Sequence, residues 1–137
     1  MKKLLLALFV AVGFLAPQQL SAQSAETQNY FVLNRNLAQL KAISLAAGDL
    51  AAADGENFGE FNVVICGKAV QDLAKPEVID PIIKLAQEKG VTLVACGFSL
   101  KKFEVDPASI PAEMKTVDNG ILYGFNLQKE GYYSITL

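Results

Sequence analysis

The chain lacks histidine altogether and has only two cysteines and one arginine, Arg35, among its 137 residues. Without imidazole, Ser-His-Asp triads, histidine-paired cysteine nucleophiles and histidine metal sites are excluded. The cysteines and carboxylates have no zinc-binding spacing, glycine-rich phosphate loops are missing, and we expect neither metal nor cofactor. The absence of Cys-x-x-Cys argues against a thioredoxin-like oxidoreductase. The composition therefore leaves cysteine chemistry as the main covalent possibility.

The N-terminus has the pattern of a signal peptide. Lys2 and Lys3 precede an apolar run over 4–16, and Leu20-Ser21-Ala22 offers a small-residue cleavage site. The apolar run is short for a permanent membrane span, although an uncleaved anchor is the alternative. We expect residues 1–22 to be removed, 23–28 to form a flexible mature N-terminus, and 29–137 to form one domain. The protein is then periplasmic or secreted, with no stable membrane anchor.

Cleavage after Ala22 would leave ten basic and fourteen acidic residues, a formal charge of −4. A nucleic-acid-binding protein needs a basic face to replace counterions, so we expect no nucleic-acid partner. Two cysteines do not make a disulfide framework, and the domain is large enough to bury a core without one. In an oxidising compartment, however, each free thiol needs an explanation.

Strands and helices alternate along the remaining chain. Apolar or alternating patterns predict strands at 30–33, 61–65, 91–95, 115–117 and 132–137. A capping box at Asn36 and Gln39 opens a first helix that closes at 54–57, and Gly48 within it indicates a close approach to the sheet. Asp80-Pro81 opens a second helix that Gly90 ends.

Two further helices follow the third strand. Residues 99–103 predict a short helix, and 106–111 an irregular loop. Asn119 caps a last helix through Ile121, Leu122, Phe125 and Gln128, which ends at Gly131. The alternation predicts a three-layer α/β/α domain with flavodoxin-like layering and a mostly parallel sheet of about five strands. In such folds the site lies beyond the carboxyl ends of the strands, where both cysteines fall.

Cys96 is the leading candidate nucleophile. It ends a β-branched apolar strand and precedes a helical turn, where unpaired backbone N–H groups and the helix dipole favour a thiolate. Gly97 allows the backbone to approach closely, and we expect a thiol that a reaction partner can reach. The alternative is a small apolar side chain that fills space beneath the turn.

The other candidate residues surround the same edge of the sheet. Cys66 ends the second strand and is either a second, resolving thiol or a buried structural cysteine. Arg35 follows the first strand. Its guanidinium group either binds an oxyanion through two hydrogen bonds or is a solvated surface group. Lys68, Lys101 and Lys102 are surface residues by default, with an anion or thiolate environment as the functional alternative.

The run Gly-Val-Thr-Leu-Val-Ala-Cys-Gly-Phe-Ser-Leu at 90–100 resembles a segment of the DsrE/DsrF-like sulfur-relay family. The order of elements, with Phe-Asn-Val-Val-Ile-Cys-Gly at 61–67 and Leu-Gln-Lys-Glu-Gly-Tyr at 127–132, extends the resemblance over roughly 28–137. It implies a small α/β protein that carries sulfur as a persulfide on Cys96, with Gly97 and Ser99 in its environment. Reliance on a second thiol at Cys66 is not part of the family pattern.

The resemblance also implies partners. We expect a homo-oligomer, a trimer or hexamer, that acts between sulfur donors and acceptors, which are proteins or small thiols. Intrinsic turnover would be modest, so whether the protein counts as an enzyme stays open. The alternative is a non-catalytic binding or assembly module in which the same fold carries inert cysteines.

Overall fold

Five strands form one sheet, and all five run parallel. The computed structural model describes residues 26–137, so the predicted signal peptide lies outside the described residues. The strands are β1 (Gln28–Asn34), β2 (Phe58–Ile65), β3 (Val91–Cys96), β4 (Lys115–Val117) and β5 (Tyr133–Thr136). Their order in the sheet is β4-β3-β2-β1-β5. The predicted α/β architecture is confirmed, and β1 begins at Gln28, inside the segment predicted to be flexible.

Helices cover both faces of the sheet. They are α1 (Leu40–Asp54), α2 (Pro76–Glu88), α3 (Gly97–Lys102) and α4 (Gly120–Lys129). Short 3-10 turns occupy Leu37–Gln39, Gly55–Asn57, Gly67–Asp72 and Pro107–Ser109. The last of these lies in the loop predicted to be irregular. No helix within residues 26–137 has the length and apolar character that crossing a membrane requires.

Side-chain alternation along the central strands divides the core in two. Val63 and Ile65 of β2 face the layer of α1 and α2, where they join Leu40 and Ile79 in the larger cluster. Val64 points to the opposite face, where the smaller cluster also contains the side chains of Phe31, Cys66, Val94, Cys96 and Leu127. Strands buried on both faces read as continuous apolar runs, which is why β2 and β3 were predictable. Both cysteines belong to the α4 side of the sheet.

Two predicted helix starts are wrong in detail. The second helix begins at Pro76 rather than at Asp80-Pro81, and Pro81 lies inside it. Pro76 occupies the first turn, where a missing N–H costs nothing because that group has no helical partner. At the first helix, Asn36 does cap the Ala38 N–H. The capping box is not formed, because Gln39 Oε1 instead accepts from the amide of Asn34.

Gly48 and α3 also differ from prediction. A Cβ on Gly48 would lie 3.0 Å from Cδ of Lys89, so this glycine admits the end of α2 rather than the sheet. The short helix α3 starts at Gly97, two residues earlier than the sequence indicated. Gly90 ends the preceding helix as predicted, with a φ of 70° that suits glycine.

Helix α4 packs through its small residues and leaves large ones outside. Gly120, Gly124 and Leu127 are its buried residues. A Cβ on Gly124 would lie 2.5 Å from Cζ of Phe31, so glycine allows the helix to approach the β1 side chains. The consequence is an exposed apolar surface on α4, beside the edge strand β5, which we call the α4–β5 surface: Ile121, Leu122 and Phe125. Tyr133 and Ile135 of β5 are also exposed, but they pair with Tyr30 and Val32 and so face the α1–α2 side of the sheet.

We expect Asn119→Ala to lower the free energy of unfolding by about 1 kcal/mol, as loss of an N-cap side chain typically does. Asn119 Oδ1 accepts hydrogen bonds from the backbone N–H groups of Ile121 and Leu122, which alanine cannot replace. Urea denaturation measures the effect. Asn126→Ala, the same change at an exposed position inside α4, is the control and should leave stability unchanged or slightly raised, because alanine favours helix. Equal losses in both variants would contradict the capping role.

Candidate functional site

The two cysteines end neighbouring strands at the carboxyl edge of the sheet. β2 and β3 pair in register, with Ile65 opposite Ala95, so Cys66 and Cys96 are the next residues on each strand. Both keep an extended backbone, Cys66 with φ −123° and ψ 171° and Cys96 with φ −81° and ψ 110°. Their side chains therefore continue the alternation and face the α4 side together. Both thiols are free.

The N-terminal ends of two helices, α3 and α4, meet at Cys96. Cys96 is the N-cap residue of α3. It also accepts a hydrogen bond from the first residue of α4, because the N–H of Gly120 donates to Cys96 Sγ over 3.2 Å. The first N–H groups of a helix have no partner within the helix and carry the positive end of its dipole. The sequence indicated the first of these helix ends, and the fold adds the second from 24 residues further along the chain.

Gly120 is tightly enclosed by the site. A Cβ at this position would lie 2.7 Å from Cγ1 of Val64, 2.8 Å from Sγ of Cys66 and 3.1 Å from Cβ of Cys96. Any side chain here would push the start of α4 away from the thiols. Glycine thus brings a backbone N–H within hydrogen-bonding distance of sulfur. In the sequence, the signal for this arrangement is an asparagine N-cap, Asn119, followed by glycine at the first helical position.

Ser99 connects the two cysteines. Its hydroxyl oxygen accepts from the N–H of Gly67 over 2.9 Å, which leaves the hydroxyl proton free to donate to sulfur. Gly67 follows Cys66 and has a φ of 68°, a conformation that favours glycine. The buried Ser99 side chain therefore holds the turn after β2 against the first turn of α3. Its hydroxyl proton can serve only one of the two sulfur atoms at a time.

The environment separates the acidities of the two thiols. Burial alone would raise the pKa of Cys96, but hydrogen bonds from the Ser99 hydroxyl, the Gly120 and Ser99 N–H groups and Cys66 outweigh it, so the pKa is lowered. Burial raises the pKa of Cys66 to about 12, the charge on Cys96 adds to the rise, and Ser99 and Arg35 oppose it. The thiol of Cys96 therefore ionises at a lower pH than that of Cys66, which keeps its proton at neutral pH.

A cavity of about 450 Å³ gives access to the pair. Cys96 is only 2% exposed, so the expectation of a freely reachable thiol is wrong at the level of the side chain. It forms part of the cavity wall instead, and Phe98 and Ile121, which are 64% and 58% exposed, mark the side open to solvent. A small molecule can enter this space. The bulky surface of a folded partner cannot contact the sulfur without rearrangement.

The cavity lining carries two cations and no carboxylate. Arg35 and Lys102 belong to the lining, together with Leu33, Cys66, Gly67, Cys96, Ser99, Phe103 and Asn119. Sequence reasoning had placed Arg35, Cys66, Cys96, Ser99 and Lys102 at this edge, and the structure brings these five together. It had not identified Phe98, Phe103 or Ile121, whose apolar side chains gave no chemical signal.

Three other predicted residues lie outside this cavity. Lys68 lines a larger neighbouring cleft of about 750 Å³, which shares Arg35 and Phe103 with the cysteine cavity. Lys101 lines neither space and is exposed, because it lies on the outer side of α3. Gly97 makes room for the chain after β4, since a Cβ there would lie 2.9 Å from the carbonyl oxygen of Val117. Within residues 26–137, no cluster of three metal-binding side chains occurs.

Comparison of the chain with known protein sequences and structures finds solved structures with a similar fold. None of the curated proteins matches the chain in sequence. A protein of unknown function from Methanobacterium thermoautotrophicum has a similar structure, with a TM-score of 0.67 and 18% identity over 82% of this chain and 100% of that one. A conserved protein of unknown function from Bacteroides thetaiotaomicron gives a TM-score of 0.58 and 18% identity over 80% of this chain and 95% of that one. These likenesses establish the fold.

The family follows from the sequence. The DsrE/DsrF-like family model matches residues 22–137, which is the whole of the predicted domain and almost all of the chain. Among the residues that carried the resemblance, Cys66, Gly67, Cys96, Phe98 and Ser99 line the cysteine cavity. The chain belongs to the DsrE/DsrF-like family.

Proposed function

We propose that the protein is a periplasmic or secreted sulfur carrier that accepts sulfane sulfur as a persulfide on Cys96. Membership of a family with a sulfur-relay role supports the general assignment. The observation that carries the specific role is the hydrogen bond from the Gly120 N–H to Cys96 Sγ, 3.2 Å long, at the floor of an open cavity. This hydrogen bond stabilises negative charge on the Cys96 sulfur. A nucleophilic thiolate requires such stabilisation, whereas a cysteine that only fills space does not.

The transfer conserves oxidation state overall. The Cys96 thiolate attacks the outer sulfur of a donor persulfide, the donor S–S bond breaks, and the donor leaves as a thiolate. An acceptor thiolate then attacks the outer sulfur on Cys96 and restores the Cys96 thiolate. The Gly120 N–H and the Ser99 hydroxyl stabilise the thiolate at the start and end of this cycle. The protein supplies a site for sulfur rather than an oxidant.

The lining favours small anionic donors. Arg35 and Lys102 give the cavity positive charge, and a space of about 450 Å³ admits a polysulfide, a thiosulfate or a small organic persulfide. The apolar side chains at the opening suit sulfur chains, which are weakly hydrated. Because Cys96 is buried, a protein donor or acceptor would have to insert an extended segment that carries its own cysteine.

The α4–β5 surface supports self-association. β5 is an edge strand of the sheet, and no other strand within residues 26–137 pairs with its outer side. Beside it, Ile121, Leu122 and Phe125 each expose 58% of their area. A second copy of the chain presents both features at once, so a symmetric contact would cover the apolar side chains of both copies. We propose a homo-oligomer that uses this surface.

Alkylation rates should separate the two thiols. In Cys66→Ser, the rate of Cys96 modification by iodoacetamide should rise with pH around a midpoint below the ordinary cysteine value, because a lowered pKa means thiolate at lower pH. In Cys96→Ser, the midpoint for Cys66 should lie above that value. Mass spectrometry across a pH series measures both. As a control, the thiols of the two variants should have the same midpoint in denaturant. Equal midpoints in the folded proteins as well would refute the proposed environment.

Sulfur loading tests the carrier function directly. After exposure to a small organic persulfide and removal of excess donor, Cys66→Ser should gain the mass of one sulfur atom, mapped to Cys96. Cys96→Ser should gain none, and a thiol acceptor should remove the added sulfur. If Cys66→Ser stays unmodified while folded, the alternative of a binding module with inert cysteines is supported instead.

Protein isolated from the native cells tests the proposed location. Protein isolated from the periplasmic or secreted fraction should begin at Gln23, and Cys66→Ser isolated from that fraction should carry sulfur on Cys96. Retention of the whole population in the cytoplasm with residues 1–22 intact would contradict the proposed location.

Light scattering tests self-association. The wild-type chain should have the mass of a multimer, and Phe125→Asp should shift it towards the monomer by placing a charge in the α4–β5 surface. Leu45→Asp is the matched control, since Leu45 is 45% exposed but lies on α1, away from this surface. A monomeric wild type, or equal dissociation by both changes, would rule out the proposed contact.

A further inference from the structure

Cys66 is placed to react with Cys96. The two residues follow the registered pair Ile65 and Ala95 on adjacent parallel strands. Neighbouring strands lie roughly 4.8 Å apart, and a disulfide requires Cα atoms separated by about 4.4–6.8 Å. Both side chains point to the same face and belong to one buried cluster. The spacing of the two strands therefore falls within the range of Cα separations that a disulfide spans.

The surroundings hold the pair together from three sides. Gly120 packs against Cys66 Sγ and against Cys96 Cβ. Hydrogen bonds from Ser99 contribute to the lowered pKa of Cys96 and oppose the rise that burial causes in the pKa of Cys66. The N–H of Cys66 donates to the carbonyl oxygen of Asn34 over 3.0 Å, which fixes the end of β2 against β1. Cys66 and Cys96 thus share the same contacts, and this arrangement favours a reaction between them over a purely space-filling role for Cys66.

We propose that Cys66 is a resolving thiol, which converts a persulfide on Cys96 into a Cys66–Cys96 disulfide and releases hydrosulfide. The inference rests on the proposed carrier function and adds a second outcome for the bound sulfur. Besides passing sulfur to an acceptor, the protein would reduce sulfane sulfur to sulfide, with the electrons supplied by its own two thiols.

The step balances without an external oxidant. The Cys66 sulfur attacks the inner sulfur of the Cys96 persulfide anion, and a new S–S bond forms between the cysteines. The bond to the outer sulfur breaks, and this sulfur takes the electron pair of that bond. The proton from Cys66 moves to the departing sulfur, which leaves as hydrosulfide. The sulfane sulfur is reduced, and the two cysteine sulfurs are oxidised to the disulfide.

The environment of Cys66 fits the role of proton donor. Burial raises its pKa to about 12, so it carries its proton while Cys96 is loaded. A protonated thiol does not compete with Cys96 for the donor sulfur, which keeps loading and resolution in order. The cavity that admits the donor also contacts Cys66 and Cys96, so hydrosulfide has a way out. A thiol reductant must then reduce the disulfide before another cycle.

Single-turnover measurements test the inference. Full-length wild type and Cys66→Ser are mixed with one equivalent of a small organic persulfide under anaerobic conditions, without added thiol. Wild type should release hydrosulfide in proportion to the sulfur taken up and acquire a Cys66–Cys96 disulfide on non-reducing peptide maps. Cys66→Ser should retain the sulfur on Cys96 and lose this release. Cys66→Ala, with circular dichroism on every variant, guards against a folding defect.

The outcomes separate the two proposals. Failure of both serine and alanine variants at Cys66 to take up sulfur, with the fold intact, would overturn the carrier function and this inference with it. Uptake by those variants together with a wild type that holds its persulfide equally long would overturn the resolving role alone. Equal hydrosulfide release from wild type and both variants would do the same, because the donor itself would then be its source.

Discussion

The hydrogen bond from the Gly120 N–H to Cys96 Sγ is the contact on which the site depends. It ties the start of α4 to the end of β3, and it directs the positive end of a helix at a buried sulfur atom. The bond requires glycine, because Val64, Cys66 and Cys96 occupy the space that a Cβ would fill. The same close approach encloses both cysteines, so Gly120 sets both the packing around the thiols and a hydrogen bond to Cys96.

A parallel sheet explains why two thiols so far apart in sequence meet. Parallel strands place their carboxyl ends at one edge, and the register of β2 with β3 makes Cys66 and Cys96 direct neighbours. Ser99 and Gly67 then join the two turns that leave these strands. The result is asymmetric, because more donors converge on Cys96 than on Cys66. That asymmetry in hydrogen bonding lowers the pKa of Cys96, whereas burial and the charge on Cys96 raise the pKa of Cys66.

Much of the fold was predictable because its signals are local. Apolar β-branched runs predicted the strands, and Asn119 and Gly90 predicted one helix start and one helix end at the correct positions. The errors arose where signals compete: Asp80-Pro81 resembles a helix start, yet Pro76 begins the helix one turn earlier. The Asn36–Gln39 pattern failed because the buried amide of Asn34 takes up the Gln39 side chain, a contact that depends on the end of β1.

The amino-acid sequence by itself determined the class of fold, the family, and the two cysteines as the centre of any covalent chemistry. These follow from composition and short-range pattern, which act over a few residues. Only the tertiary structure decided that Cys96 is buried in a cavity wall, that Arg35 and Lys102 line the cavity while Lys68 and Lys101 do not, and that α4 exposes its large apolar side chains. Those properties depend on strand register and on the packing of helix against sheet, which bring together residues that no local pattern connects.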